Sequence, residues 1–514
     1  MRRMVAGYGN GPEERTNADK NDGQVKANKD SGSPEGDFAS RTGLPRRKSF
    51  LSKNALRPAH DGRSLTAGEQ GVPAPANQDS PVAAGARAVA LRQPPETVQP
   101  NETGEIMKRW LILLFAGVIV AGTAFLNIWS IMQKPLLALF PGSTPSEVVL
   151  VYSLTLAAMG LTSPFAGRAM DKFGPRIVLI FGCIMWCVGV FLTSFATELW
   201  HIYVTYCLLI GVGDGLLYTN CVVNAVKWFP DRKALAAGII ATFGALGPMV
   251  WVPIALNLMD GASSVLDIYQ GFAVIFVFSM LLLAFFVVPP APGYKPEGWD
   301  PSKAASKGKG IILSHKGISG IVKDPVFYAV VLTFMCGTGT GGMMVGHSAA
   351  IGINQIGMTP AVAASTVTVF ALCNAAGRIV FGWCSDNFGR FITQGCVFLI
   401  YIIGANVLNI ATTTPMFMIG CGLIACGWGG TWASYPAITS EFWGPENLGA
   451  NYGLVFIGAS IGGFVYPKIA GYAVETTGHY TLAYICAMAF AAAGIVIVYW
   501  MSTMYKKRAA LLKN

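Results

Sequence analysis

Beyond residue 106 the chain is a succession of apolar runs, each close to the roughly 20 residues a helix needs to cross a bilayer. Twelve can be placed, near 110–132, 147–167, 177–196, 200–226, 235–258, 269–289, 327–351, 361–382, 391–411, 414–436, 449–473 and 481–502. In lipid every backbone N–H and C=O must be bonded inside the structure, so a spanning segment is a helix or a strand of a closed barrel. These runs are too long for barrel strands, which leaves an all-α membrane protein. A signature then divides the spans into two sets of six. The first copy is Gly167, Asp171, Phe173, Gly174 and Arg176 in GRAMDKFGPR; the second is Gly382, Asp386, Phe388, Gly389 and Arg390 in GWCSDNFGR. Each copy ends a span and turns the chain sharply. The repeat predicts two pseudo-symmetric six-helix bundles, the build of a transporter whose site lies where the bundles meet.

Charge supports that reading. Only 12% of residues are charged, against roughly 25% in soluble domains. The net charge of +10 would suit nucleic acid if it were gathered on one surface. Instead the basic residues fall on alternate loops: Lys172 with Arg176, Lys227 with Arg232 and Lys233, Lys303 to Lys316, Arg390, and Lys506 to Arg508. The intervening loops at 141–146, 260–267, 412–414 and 476–479 hold few. The basic set is therefore expected in the cytoplasm, with both termini inside and the chain in a cell (inner or plasma) membrane. Expected domains are a polar, disordered tail over 1–106, a bundle over 107–289, a cytoplasmic linker over 290–325, a second bundle over 326–503 and a basic tail over 504–514. Met107-Lys108-Arg109-Trp110 also reads as a natural start, which would make the tail an over-extended gene product. The eleven cysteines lie in or beside apolar runs without CxxC spacing and read as small apolar residues, with no metal implied.

Further residues make a family resemblance. They are Lys227-Trp228-Phe229-Pro230-Asp231-Arg232-Lys233 between spans four and five, Asn374-Ala375-Ala376-Gly377-Arg378 in span eight, Pro436-Ala437-Ile438-Thr439 in span ten, and Asn451-Tyr452-Gly453-Leu454 entering span eleven. With the repeated loop motif, the region from Met107 to Lys507 resembles the major facilitator superfamily, and within it the oxalate/formate antiporter branch, distantly related to monocarboxylate transporters. The resemblance implies alternating access, an inward gate at Asp171 and Asp386, a substrate carboxylate on the Arg378 position, and aromatic residues in span ten. Independently, an aspartate at a loop can accept hydrogen bonds from a helix start or pair with a nearby arginine.

Ionisable residues inside spans are costly enough to suggest function. Arg378 lies eight residues before Asp386, hence about 12 Å deeper in a helix. Its planar guanidinium suits a carboxylate; the alternative is snorkelling to the interface. Dicarboxylate carriers of the resembling branch have a lysine in the turn after the span-eleven entry. Here that turn reads Phe456-Ile457-Gly458-Ala459-Ser460, and Lys468 lies further along, as a second cation or an outward-snorkelling residue. Asp214 sits mid-span in span four, where a desolvated aspartate can carry a proton. Alternatively it pairs with a hydroxyl, Arg378 or Lys468. Trp428, Trp432 and Tyr435 share a face of span ten, and with Trp129 and Tyr218 they are candidates for an aromatic box around a small anion.

GVGDG at 211–215 and GTGTGG at 337–342 mimic phosphate loops, but no GK[ST] follows and both lie inside spans. The sequence thus reads as a secondary carrier, not an enzyme. It needs no cofactor, is expected to be monomeric, and moves a small organic anion such as formate, pyruvate or lactate by antiport or with a proton. Oxalate/formate exchange through Lys468 is the rival within transport, and a transporter-like receptor the rival outside it.

Overall fold

The computed structural model describes residues 102–260, 264–300 and 311–512. The expectations for the polar segment up to residue 101, the disordered tail and most of the possible over-extension, lie outside the described residues. Among the described residues eleven helices are long and apolar enough to cross a membrane, and the shorter apolar helix Ile268–Ala284 occupies the place of the sixth span.

Span one is Glu102–Thr123, continued through a 3-10 turn Ala124–Ile128 into Trp129–Leu139. Spans two and three are Pro145–Phe173 and Pro175–Thr193. Span four runs from Leu199–Ile202 through a π-helical stretch Tyr203–Ile210 into Gly211–Trp228. Span five is Lys233–Asp260, and span six is broken at a π-helical stretch Val277–Leu281. Spans seven to twelve are Pro325–Ile356, Pro360–Phe388, Arg390–Asn409, Thr414–Trp443, Leu448–Thr477 and Thr481–Leu511.

Local chemistry sets these ends. Span two begins with a capping box, Thr144 Oγ1 accepting from Glu147 N at 3.3 Å and Glu147 Oε2 accepting from Thr144 N at 2.7 Å, with Pro145 in the first turn. Spans two and eight both stop at the last glycine of the repeated motif, Gly174 at φ +83° and Gly389 at φ +102°. A side chain at either position would be strained, so the helix can turn straight into the next span only with glycine there.

The halves meet along two seams at the end of the molecule that bears the basic loops. Span two lies on span eleven so closely that Gly167 and Gly449 face backbone to backbone; a Cβ on either would strike the other's carbonyl. Span eight lies on span five in the same way, Gly382 against the Ala234 carbonyl. Toward the opposite end the seam between spans two and eleven parts. The face of span eleven that presses Gly449, Gly453 and Ser460 on span two continues through Phe464 and Lys468, both exposed. A Cβ at Gly463 or Gly471 there would meet nothing.

The linker is pinned to the second half. Leu313 N donates to Glu441 O, Lys316 N to Trp443 O, and Asn451 Nδ2 to Lys316 O. Span twelve runs to Leu511, so the basic segment expected as a tail is the last turns of a helix. Its anchor is Asp324, which caps span seven through Val326 N at 3.1 Å and accepts both Arg508 Nη atoms at 2.7 Å, Lys316 Nζ at 3.2 Å and Trp443 Nε1 at 3.3 Å. Burial alone would raise this carboxyl, but the Arg508 bonds and the span-seven N–H hold it well below the ordinary carboxylate range. Its contribution to stability is therefore present above the ordinary carboxylate pKa of about 3.9 and lost only as pH falls below it. Asp324→Asn is expected to cost about 2–3 kcal/mol, because a buried charged acceptor is lost. Thermal unfolding in detergent should show a clear fall in Tm, with little further pH dependence between pH 5 and pH 8 in either protein.

Candidate anion site between the two halves

Span eight is held between spans five and ten by glycine contacts. Gly238 of span five lies against the Arg378 carbonyl, and Gly429 of span ten lies against the Asn374 carbonyl and Arg378 N. No large side chain fits between these backbones, so the Arg378 side chain is buried at 6% exposure. Its Nε donates to Asn374 Oδ1 at 3.1 Å, one turn back on its own helix. Its Nη1 donates to the Ala241 carbonyl on span five, in the other half. The guanidinium lies over the Trp432 ring at 5.8 Å. Among the described residues no carboxylate pairs with it. Neutral acceptors satisfy some of its donors, and its charge is left uncompensated in a low-dielectric place.

Aromatic rings from both halves surround it. Tyr218 meets Trp432 edge-on at 5.8 Å and Phe456 at 5.6 Å. Trp432 also meets Phe334 at 5.7 Å and Phe456 at 5.7 Å. Tyr435 stacks on Phe334 at 4.2 Å. Trp428 meets Trp432 at 6.1 Å and spends its Nε1 on the Thr338 carbonyl at 3.1 Å. The structure thus brings Arg378, Trp432, Tyr435 and Tyr218 together, with Trp428 one ring further out. It adds Phe334, Phe456 and Tyr452, none of which the sequence singled out as site residues. Tyr452 is within electrostatic reach of Arg378 and packs on Phe456 at 6.0 Å. The (i, i+4) aromatic pair Tyr452 and Phe456 just inside span eleven was the available signal. Trp432 Nε1, Tyr435 OH and Tyr452 OH are buried with no hydrogen-bond partner.

Three predicted residues lie apart from this cluster. Trp129 is buried inside the first half, tilted against Tyr206 at 4.7 Å, its Nε1 donating to the Val148 carbonyl at 3.1 Å. Lys468 is exposed, its Nζ 3.9 Å from the centre of the Phe464 ring. Asp214 is buried at 4% exposure and pairs with neither Arg378 nor Lys468.

Below the cluster, at the basic end, each repeated aspartate of one half caps a helix start of the other. Asp171 Oδ2 accepts from Ala450 N of span eleven at 2.9 Å, while Oδ1 pairs with Lys227 Nζ at 2.9 Å. Asp386 accepts from Ala234 N and Leu235 N of span five at 3.2 and 2.8 Å, and pairs with Arg390 Nη1 at 2.5 Å. Arg390 Nε in turn reaches Glu441 Oε1 at 2.9 Å. Lys233 Nζ donates across the halves to Ser440 Oγ at 3.0 Å. The motif arginines differ: Arg390 is buried in this network, whereas Arg176 is exposed and Lys227 takes its place.

Comparison with known proteins bears on the family and the fold. The sequence model of the Major Facilitator Superfamily matches residues 113–354 and 340–513. The chain is 27% identical over 418 residues to the oxalate:formate antiporter of Oxalobacter formigenes, covering 78% of this chain and 94% of that protein. It is 25% identical over 357 residues to monocarboxylate transporter 12 of Xenopus laevis, covering 65% and 76%. Among solved structures, FucP, a transporter of the same superfamily crystallised in the outward conformation, aligns with a TM-score of 0.59 at 17% identity, over 77% of this chain and 99% of that one. At that identity the likeness is one of fold.

The cross-half caps should control how tightly the basic end closes. Asp171→Asn or Asp386→Asn removes a charged acceptor from a helix start, worth about 1–2 kcal/mol. Spin labels at Arg176 and Glu446 should report it. Their distance distribution is expected to gain a longer component in the Asp171 variant, and an unaltered distribution would count against a seal held by this cap.

Proposed function

The chain belongs to the Major Facilitator Superfamily, and from that premise we propose that it is a secondary carrier for a small monocarboxylate such as formate, pyruvate or lactate. The observation that carries the proposal is the buried Arg378 guanidinium, which meets no carboxylate among the described residues and sits among unpartnered Trp432, Tyr435 and Tyr452 donors. A substrate carboxylate supplies the missing negative charge, and the planar guanidinium can bind both its oxygens. One fixed cation balances a monoanion. The rings of Trp432, Tyr218, Phe334 and Phe456 exclude water around it. The relatives, an oxalate:formate antiporter and a monocarboxylate transporter, favour the same substrate class.

On the basic-loop rule the closed end faces the cytoplasm and both termini lie inside. The conformation described above then opens outward. Asp171 and Asp386 serve as latches that form when the cytoplasmic side closes and break when it opens. Gly167, Gly174, Gly382 and Gly389 give the close approach and sharp turns on which the latches depend.

A second reading is favoured by one observation. Lys468 stands exposed on the face of span eleven that continues the seam, where a second cation could meet a dianion. Under that reading oxalate is exchanged for formate, and Lys468→Ala abolishes dianion uptake while sparing monoanions.

Arg378→Ala is expected to lower carboxylate counterflow in proteoliposomes by about 100-fold, the equivalent of roughly 3 kcal/mol of lost charged hydrogen bonding. Arg378→Lys is expected to recover little of it, since an ammonium lacks the planar fork. Counterflow at the wild-type level in folded Arg378→Ala would contradict the assignment.

A further inference from the structure

A second uncompensated group lies in the first half, away from the arginine. Asp214 is buried in span four, its Oδ1 has no hydrogen-bond partner, and no ion pair reaches it among the described residues. The groups that reach it from spans one, two and four are polar but uncharged. Thr123 of span one is within hydrogen-bond reach. Tyr152 of span two, and Tyr206, Tyr218 and Cys221 of span four, lie within electrostatic reach. Behind them stand Tyr269 of span six, edge-on to Tyr206 at 6.2 Å, and Cys183 of span three beside Cys221. Tyr206 OH, Tyr269 OH and Thr219 Oγ1 are also buried without partners. The backbone is irregular on both sides of the carboxylate. The 3-10 turn of span one starts right after Thr123, and the π-helical stretch of span four ends at Ile210, one turn before Asp214. Such breaks in a helix recur at hinges and functional sites.

This pocket connects to the arginine through contacting side chains. Tyr218 stands one helical turn beyond Asp214 on the same face. Its ring meets Trp432 at 5.8 Å, and Trp432 lies under the Arg378 guanidinium at 5.8 Å.

We propose that Asp214 is a proton-binding site loaded in step with the carboxylate at Arg378, so that the carrier moves one proton with one monocarboxylate and no net charge. The inference rests on the monocarboxylate reading above. Its logic is charge balance in a place where an unpaired charge is expensive. The empty carrier holds Arg378 positive and Asp214 negative, which sum to zero. With substrate bound and Asp214 protonated the sum is again zero. Substrate alone leaves one negative charge, and a proton alone leaves one positive charge. Only the two neutral states reorient readily, which couples the fluxes. The proton joins a carboxylate oxygen from the outer solution and leaves it to the cytoplasm; no other bond changes.

The same arithmetic predicts an informative variant. Asp214→Asn is neutral without a proton. Its substrate-loaded form is balanced and reorients, while its empty form carries the bare Arg378 charge and does not. It should therefore become an exchanger. In proteoliposomes, a pH gradient should drive wild-type accumulation of labelled pyruvate or lactate, with proton uptake reported by an entrapped pH dye and no response to a valinomycin-imposed potential. Asp214→Asn should lose accumulation and proton uptake at least tenfold yet keep counterflow within about threefold of wild type. Asp214→Glu should keep both. Several results would overturn the proposal: pH-driven accumulation in Asp214→Asn, loss of counterflow in an Asp214→Asn protein that is folded by size-exclusion profile, or wild-type uptake driven by sodium. The wild type alone also decides, since net downhill uptake of a monocarboxylate without proton movement rejects the proton site while leaving the substrate reading intact. No counterflow of any monocarboxylate would instead remove the substrate reading.

Discussion

A guanidinium buried between two helical bundles without a carboxylate beside it is the feature on which the rest of this structure turns. An unpaired charge in such a place costs several kcal/mol. Arg378 is kept there by backbone packing. Gly238 and Gly429 bring spans five and ten against both sides of span eight, leaving the side chain room only among Asn374, the Ala241 carbonyl and the Trp432 ring. The neutral acceptors hold the group without neutralising it. The group is thus already desolvated and already oriented before any ligand arrives.

The halves are joined beneath this charge by bonds of a different kind. Each repeated aspartate accepts N–H groups from a helix start on the opposite half, where the helix dipole favours a negative charge. Contributions of this type are worth about 1–2 kcal/mol each. They join the two halves at this end through a few directional bonds of modest size. Because the glycines at the crossing allow backbone contact, the seam adds close packing to these few directional bonds. Span eight carries both Arg378 and Asp386, so the buried guanidinium and one cross-half cap share a single helix.

Much of this was legible in the sequence because it depends on local chemistry. Gly174 and Gly389 end their helices with a positive φ, as the repeated motif implies, and Asp171 and Asp386 meet the helix starts that their chemistry favours. Arg378 was identifiable from depth and charge. Other features needed three dimensions. Arg390 opens span nine directly after the Gly389 turn and reaches back to Asp386, whereas Arg176 follows Asp171 by five, beyond Pro175, and points to solvent. Lys227 then takes the pairing from span four, which no local spacing announces. Trp129 belongs to the first half's core because the 3-10 turn Ala124–Ile128 re-phases span one, and no glycine or proline lies within that turn to reveal it. Phe334, Tyr452 and Phe456 join the ring cluster through seams between spans, which a single helix pattern cannot display.

The most direct test is a high-resolution experimental structure of the protein with a saturating monocarboxylate. The account predicts density for the carboxylate on the Arg378 guanidinium, beside Trp432 and Tyr218, with the Nη1 bond to the Ala241 carbonyl given up or shared. Carboxylate density elsewhere, with Arg378 still bonded only to Asn374 and Ala241, would contradict it.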